Sequence, residues 1–156
     1  MHISYLADRP ELASQLIPEL LEHWSYIFPD QTAAGRAAKF KAHENHDELP
    51  IAWIAHDGDM ALGTAALRKA DLEGRADLGP WLGGVFVSSR HRGRGIATEL
   101  CRVVEAKAYA LRVSRLYLFT HGQESFYERL GWITLEPVVW HGHRCSIMSK
   151  VPAPKS

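Results

Sequence analysis

The chain has 156 residues, with 18 basic and 18 acidic side chains, a formal net charge of zero and 46% hydrophobic residues. That length fits one domain with a sizeable core, and the neutral balance gives no reason to expect nucleic acid or an anionic membrane surface as a partner. No apolar run approaches the roughly 20 residues that cross a bilayer, and two cysteines, Cys101 and Cys145, build no disulfide framework.

Met1-His2-Ile3-Ser4-Tyr5 lacks the basic and apolar regions of a secretory signal, so a reducing, cytoplasmic setting is expected. His2 to Ala7 reads as a short strand. Asp8-Arg9-Pro10-Glu11 then carries a helix-start signal, with Asp8 as N-cap and Glu11 three residues on as in a capping box. Leu12, Leu16, Leu20 and Trp24 follow at four-residue spacing, and Pro18 should kink or divide that helix. Phe28-Pro29-Asp30 ends the segment, and a second helix is expected over Thr32 to His43. Ile51 to Ala55 and Ala61 to Leu67 read as a hairpin around Asp57-Gly58-Asp59. Residues 68–77, with Arg68, Lys69, Asp71, Glu73, Arg75 and Asp77, read as an exposed loop, and Leu82 to Val87 as a further strand.

The clearest helix comes next. Ala97, Leu100, Cys101, Val104, Ala108 and Leu111 recur at three- and four-residue steps and should face a sheet. Arg115 to Thr120 is a strand, and Gln123 to Leu130 a short helix closed by Gly131. Ile133 to Val138 and His143 to Lys150 form a last strand pair around Trp140-His141-Gly142. Residues 1–151 are thus expected to be a single domain, with 152–156 a frayed tail.

The most telling stretch is Val85-Phe86-Val87-Ser88-Ser89-Arg90-His91-Arg92-Gly93-Arg94-Gly95-Ile96-Ala97. A β-branched and aromatic strand turns through glycine and arginine straight into a helix. That order leaves free backbone N–H groups at a positive helix end beside basic side chains, which suits a pyrophosphate. A strand-to-helix turn with incidental arginines has the same pattern. A Walker loop is excluded because no lysine follows Gly95, and the dinucleotide fingerprint fails because Thr98 stands at its last glycine.

What remains, Arg92-x-x-Gly95-x-Ala97 after a strand, resembles the coenzyme A signature [QR]-x-x-G-x-[GA] of the GNAT N-acetyltransferase family. Leu116-Tyr117-Leu118-Phe119-Thr120 followed by Ser125-Phe126-Tyr127-Glu128-Arg129-Leu130-Gly131-Trp132 is similar to that family's second motif, F-Y-x-x-x-G-[FY] after a strand. The segment is also locally similar to the actin N-terminal acetyltransferase. The resemblance spans essentially the whole chain. It implies an α/β fold with a mixed, mostly antiparallel central sheet of six to seven strands and about four helices. It also implies acetyl-coenzyme A as co-substrate, no metal, and a primary amine as acceptor, on a small molecule, a lysine or a peptide N-terminus; it allows a homodimer. Val85, Phe86 and Val87 would lie along the pantetheine arm, and Arg92, Gly93, Arg94, Gly95, Ile96, Ala97 and Thr98 around the pyrophosphate. Tyr127 matches the tyrosine that protonates the leaving thiolate, although a core aromatic under the last strands would fit the same place. The chain departs from the family at Ser89, often proline, at Arg112, where glycine usually ends the main helix, and at Thr120 and Gln123.

The chemistry needs a neutral amine, yet a lysine amine has a pKa of about 10.4 and an α-amine about 7.7–8.0. A base or water chain must take a proton, and the oxygen of the attacked carbonyl needs a hydrogen-bond donor. No cysteine–histidine dyad is evident, which favours direct transfer in a ternary complex. His121 is the first candidate base because it follows the strand that ends near the thioester; a solvent-facing loop histidine is an equal reading. Glu124 and Asp77 are further candidates. His43-x-x-His46 and His141-x-His143 suggest zinc but bring no two further ligands in a matching motif. Cys101 belongs on an apolar helix face, and Trp24, Phe28 and Trp81 fit either an acceptor cleft or the core. Two rival functions remain, a coenzyme A-binding sensor without turnover and an RNA-binding module.

Overall fold

The computed structural model describes residues 1–155. Its strands are β1 (His2–Tyr5), β2 (Ile51–Asp57), β3 (Met60–Arg68), β4 (Trp81–Val87), β5 (Leu116–Thr120), β6 (Ile133–Trp140) and β7 (His143–Lys150). They form one seven-stranded sheet in the order β1-β2-β3-β4-β5-β7-β6. Every neighbouring pair is antiparallel except β4 and β5, which are parallel and meet only at Trp81 and Tyr117. A parallel pair needs a long crossover, and helix α3 (Ile96–Ala110) supplies it. Beyond the Trp81–Tyr117 pair the two strands part, and that opening is where the molecule can admit a ligand.

Each face of the sheet carries its own core. On one side α3 lays down Ile96, Leu100, Cys101, Val104 and Ala108, all buried, against Trp53, Leu67, Leu82 and Leu118, and α4 (Glu124–Arg129) adds Tyr127. A leucine such as Leu100, 0% exposed, contributes about 1.5–3 kcal/mol through burial of this kind. On the other side Leu12, Leu16 and Leu20 pack on Ala52, Ile54, Ala66 and Phe86. Among the described residues no helix is long and apolar enough to cross a membrane.

The expected first helix is broken in two. Residues Pro10–Gln15 form a 3-10 turn and α1 runs Ile17–Trp24, with Pro18 in its first turn, the position where proline costs no hydrogen bond. Asp8 caps nothing: it closes another 3-10 turn (Leu6–Asp8) and pairs with His46 at 2.6 Å. Glu11 is taken by Arg9 at 2.7 Å, so tertiary partners outcompete the capping box that the local sequence offers. The second helix, α2 (Ala33–Ala42), starts as expected, Thr32 accepting the Gly35 amide at 3.0 Å.

Helix α3 ends in a Schellman motif, with Val113 N donating to Ala108 O and Arg112 N to Tyr109 O, both at 3.0 Å. Arg112 occupies its left-handed position at φ 62°. A side chain there is strained where glycine is not, so Arg112→Gly should stabilise the protein by about 1 kcal/mol, read as a rise in denaturation midpoint. Beyond β7 the chain is held at residues 152 and 153. Pro152 is buried, Ala153 N donates to Glu105 at 2.9 Å, and the same carboxylate pairs with Lys150 at 2.7 Å.

Candidate active site

The glycine–arginine turn leads from β4 through a short 3-10 segment (Ser89–His91) into the N-terminus of α3. Gly93 and Gly95 have φ of 76° and 78°, and beyond each glycine and its chain neighbours no described atom lies within 4 Å of where a Cβ would stand. Gly95 is the N-cap, with no side-chain cap, and the first helical bond runs from Glu99 N to Gly95 O at 3.1 Å. The amides of Ile96, Ala97 and Thr98 precede that bond and are the helix's free donors. Open space over unspent amides is what a pyrophosphate requires. The arginine side chains contribute less than their number suggests. Arg92 Nε donates to Val87 O at 3.2 Å, and Arg94 bonds His91 at 2.8 Å and lies 3.7 Å from Asp57.

The turn is braced from α1. Glu19 accepts a hydrogen bond from Ser88 Oγ and another from Ser89 N at 3.0 Å. This accounts for the departure at Ser89: proline there would have no N–H to give. Those two bonds, with Arg92 nearby, hold the Glu19 carboxyl below the usual carboxylate range. A carboxylate with a depressed folded pKa stabilises fully above its unfolded value and loses that contribution as pH falls through the folded one. Glu19→Gln should therefore weaken acid dependence of the melting temperature below about pH 4.5, while loosening the turn that offers the amides.

Where β4 and β5 part, a cleft of about 700 Å³ opens, bounded by α1, α2, the β6–β7 turn and the start of α4. Val85, Thr120, His121, Gln123 and Tyr127 all line it, so β4, the end of β5 and α4 bring the expected pantetheine strand, base and acid to one space. Tyr127 is 9% exposed, with Phe126 at 5.0 Å and Trp132 at 6.3 Å between ring centroids, so it is at once a core aromatic and a cleft residue. Burial, and then Cys101, push its hydroxyl pKa well up. His121 is exposed, and its Nδ1 lies 2.8 Å from Arg144 O. Since a carbonyl only accepts, Nδ1 carries the proton and Nε2 is left as the basic nitrogen.

The remaining expected residues divide between cleft and core. Phe86 packs in the core under α1 and also lines the cleft, whereas Val87 packs toward α3 without lining it. Asp77 is gripped by Arg75 through two 3.0 Å contacts and lies outside the cleft, as does Glu124, whose buried Oε1 has no partner. His43 and His46 are separately engaged, with Arg68 and Asp8. Cys101 is core, its thiol pushed up to about 12 by burial and Glu105. Trp81 is core at 0% exposure, whereas Trp24 and Phe28 line the cleft with Tyr26, Phe119 and Trp140 as an aromatic wall.

The same cleft also holds a cationic group, of which the sequence marks only Arg68, and that as part of an exposed loop. Arg36 and Lys39 reach the cleft from α2, and Arg68 from β3. Arg68 donates to His43 Nε2 at 3.0 Å and to Asp71 at 2.8 Å. Gly83 and Gly84 make room for this: a Cβ on Gly83 would lie 2.8 Å from Asp71 Oδ2, and one on Gly84 2.7 Å from Arg68 Nη2. His43 Nδ1 donates to Lys39 O at 2.7 Å, and burial followed by the charge of Arg68 lowers its pKa to about 4, so it is neutral.

Residues 14–132 match the model of the acetyltransferase (GNAT) family. Solved structures share the fold along the whole chain at low identity. An aminoglycoside 6'-N-acetyltransferase complexed with coenzyme A is 20% identical with a TM-score of 0.75, covering 100% of this chain and 99% of that one. The aminoglycoside 6'-N-acetyltransferase from Enterococcus faecium gives 19% and 0.72, with the same coverage. The ribosomal-protein-alanine N-acetyltransferase from Brucella melitensis gives 15% and 0.70, covering 97% and 99%. With a family model matched over most of its length and the family's sheet, crossover helix and glycine turn in place, the chain belongs to the acetyltransferase (GNAT) family.

Proposed function

We propose that the protein moves an acetyl group from acetyl-coenzyme A directly to a primary amine held in the cleft between β4 and β5. The observation that carries this is the continuity of the site. Free amides at the start of α3 lead, along the unpaired edge of β4, to a cleft lined by Tyr127 and His121. When bound, the co-substrate supplies an activated acetyl thioester. The amides of Ile96, Ala97 and Thr98 hold its pyrophosphate, and the β4 edge at Val85 holds the pantetheine arm. His121 Nε2 takes the proton of the attacking amine, and Tyr127 keeps its proton at neutral pH and donates to the departing sulfur. The buried free thiols of Cys101 and Cys145 fit a reducing compartment. The aminoglycoside acetyltransferases of like fold favour a small-molecule amine as acceptor.

Steady-state kinetics tests the reading. Varying acetyl-coenzyme A against an acceptor amine should give intersecting lines; parallel lines would mean an acyl-enzyme. Acetyl-coenzyme A and coenzyme A at about 100 times Kd should each stabilise the fold by roughly 2.7 kcal/mol. ATP should do so much less, and equal stabilisation by ATP would reduce the turn to a general phosphate site.

A further inference from the structure

One wall of the cleft holds an arginine whose buried Nε has no hydrogen-bond partner among the described residues. This is Arg36, 8% exposed. The ion pairs among the described residues employ other arginines. A buried guanidinium is unfavourable unless an anion meets it, and arginine cannot escape by shedding its proton. Among the described residues no carboxylate pairs with Arg36, and its Nε is left unbonded.

The surroundings deepen the deficit. Lys39 stands three residues along α2, and although exposed as a residue its ammonium is lowered to about 8, by desolvation at the cleft wall and then by Arg68 and Arg36. Arg68 is spent on His43 and Asp71, and His43 is neutral. The carboxylates on this side are Asp71, committed to Arg68, and Glu73, on an exposed stretch of loop. Three cations thus share the space with one committed and one exposed carboxylate. The missing charge is an anion that comes with a ligand.

We infer that the acceptor is a small amine carrying an anionic group, a carboxylate or a phosphate, which seats on Arg36 and Lys39 while its apolar body lies along the aromatic wall. Guanidinium suits either anion because its fork of donors matches two oxygens at once. A cleft of about 700 Å³ is of the size that small-molecule ligands occupy. A polycation is disfavoured by the same surplus of positive charge. The fate of the amine rests on the transferase reading above; the anion site rests on Arg36.

Matched pairs of amines test this by calorimetry on protein saturated with coenzyme A, with initial rates measured alongside. Phenylalanine is set against phenylethylamine, phosphoethanolamine against ethanolamine, and spermidine serves as the polycation. In at least one pair the anionic member should bind about tenfold to a hundredfold more tightly, the range for a hydrogen bond to a charged group. The pair that responds identifies the anion. Arg36→Met keeps the apolar stem and should abolish the preference while raising the melting temperature of the free protein by roughly 2–4 °C, because an uncompensated buried charge is gone. Should Arg36→Met fail to fold, Lys39→Gln should weaken the preferred amine severalfold. Equal binding within both pairs, tighter spermidine, or a lower melting temperature for Arg36→Met with the preference intact would overturn the proposal. Absence of turnover with every amine, beside intact anion-dependent binding, would refute the transferase reading and uphold the anion site. Turnover without anion preference would do the reverse.

Discussion

Replacing Gly95 with valine should leave a folded protein that binds coenzyme A at least about a hundredfold more weakly. Gly95 sits at φ 78°, where a β-branched residue is a strong outlier. The penalty for a side chain in that region is roughly 1–2 kcal/mol, a fraction of the 5–15 kcal/mol that stabilises a typical domain. Beyond Gly95 and its two chain neighbours no described atom lies within 4 Å of the new Cβ position, so the cost within the protein is the local backbone strain. The substitution does intrude on the space over the amides of Ile96, Ala97 and Thr98 and tilts them. Two charge-assisted hydrogen bonds lost at about 1.5 kcal/mol each amount to roughly a hundredfold in affinity. Gly95→Ala should lose less, since it adds a Cβ without β-branching. Calorimetry on the valine protein, with a native circular dichroism spectrum as the condition, gives the answer. Unchanged affinity would place the phosphates elsewhere.

The difference between what the sequence discloses and what it hides follows from the range of the interactions involved. The pyrophosphate turn is legible because strand, glycines and helix start are contiguous, so backbone conformation alone defines it. The start of α2 near Thr32, the Asp57-Gly58-Asp59 hairpin and the glycine-like position of Arg112 are readable for the same reason. Asp8 misleads because its fate is decided by His46, 38 residues away. Serine in place of proline at Ser89 looks like a weakening until Glu19, 70 residues away, receives its amide. The cationic wall is the extreme case. Helix α2 reads Ala-Ala-Gly-Arg-Ala-Ala-Lys-Phe-Lys-Ala, in which Arg36 resembles any solvated charge. Only the tertiary setting of α2, which packs on α1 and the Pro10–Gln15 turn, buries it, and only the paired glycines Gly83 and Gly84 leave room for Arg68 and Asp71 in the same cleft.

The Tyr127→Phe protein should retain its fold and its affinity for acetyl-coenzyme A yet lose at least about tenfold in kcat. Phenylalanine keeps the ring and its edge contacts with Phe126 and Trp132, so most of the buried area survives. What disappears is a hydroxyl whose pKa burial has raised. At neutral pH that hydroxyl holds its proton. A thiol has a pKa of about 8.5, so the tyrosine is the weaker acid, and complete transfer to a departing thiolate would run uphill. The hydroxyl therefore acts by hydrogen-bonding to the sulfur as negative charge develops on it, an interaction stronger in the transition state than in the ground state. General acid catalysis typically contributes about 10²–10⁴-fold, and the uphill transfer argues for the lower part of that range. Removal of such an interaction lowers kcat and kcat/KM together and leaves KM for acetyl-coenzyme A nearly constant. Single-turnover rates, which isolate the chemical step, are the measurement to make. A wild-type rate there would return Tyr127 to packing alone, beside Cys101 and Trp132 in the core under α3.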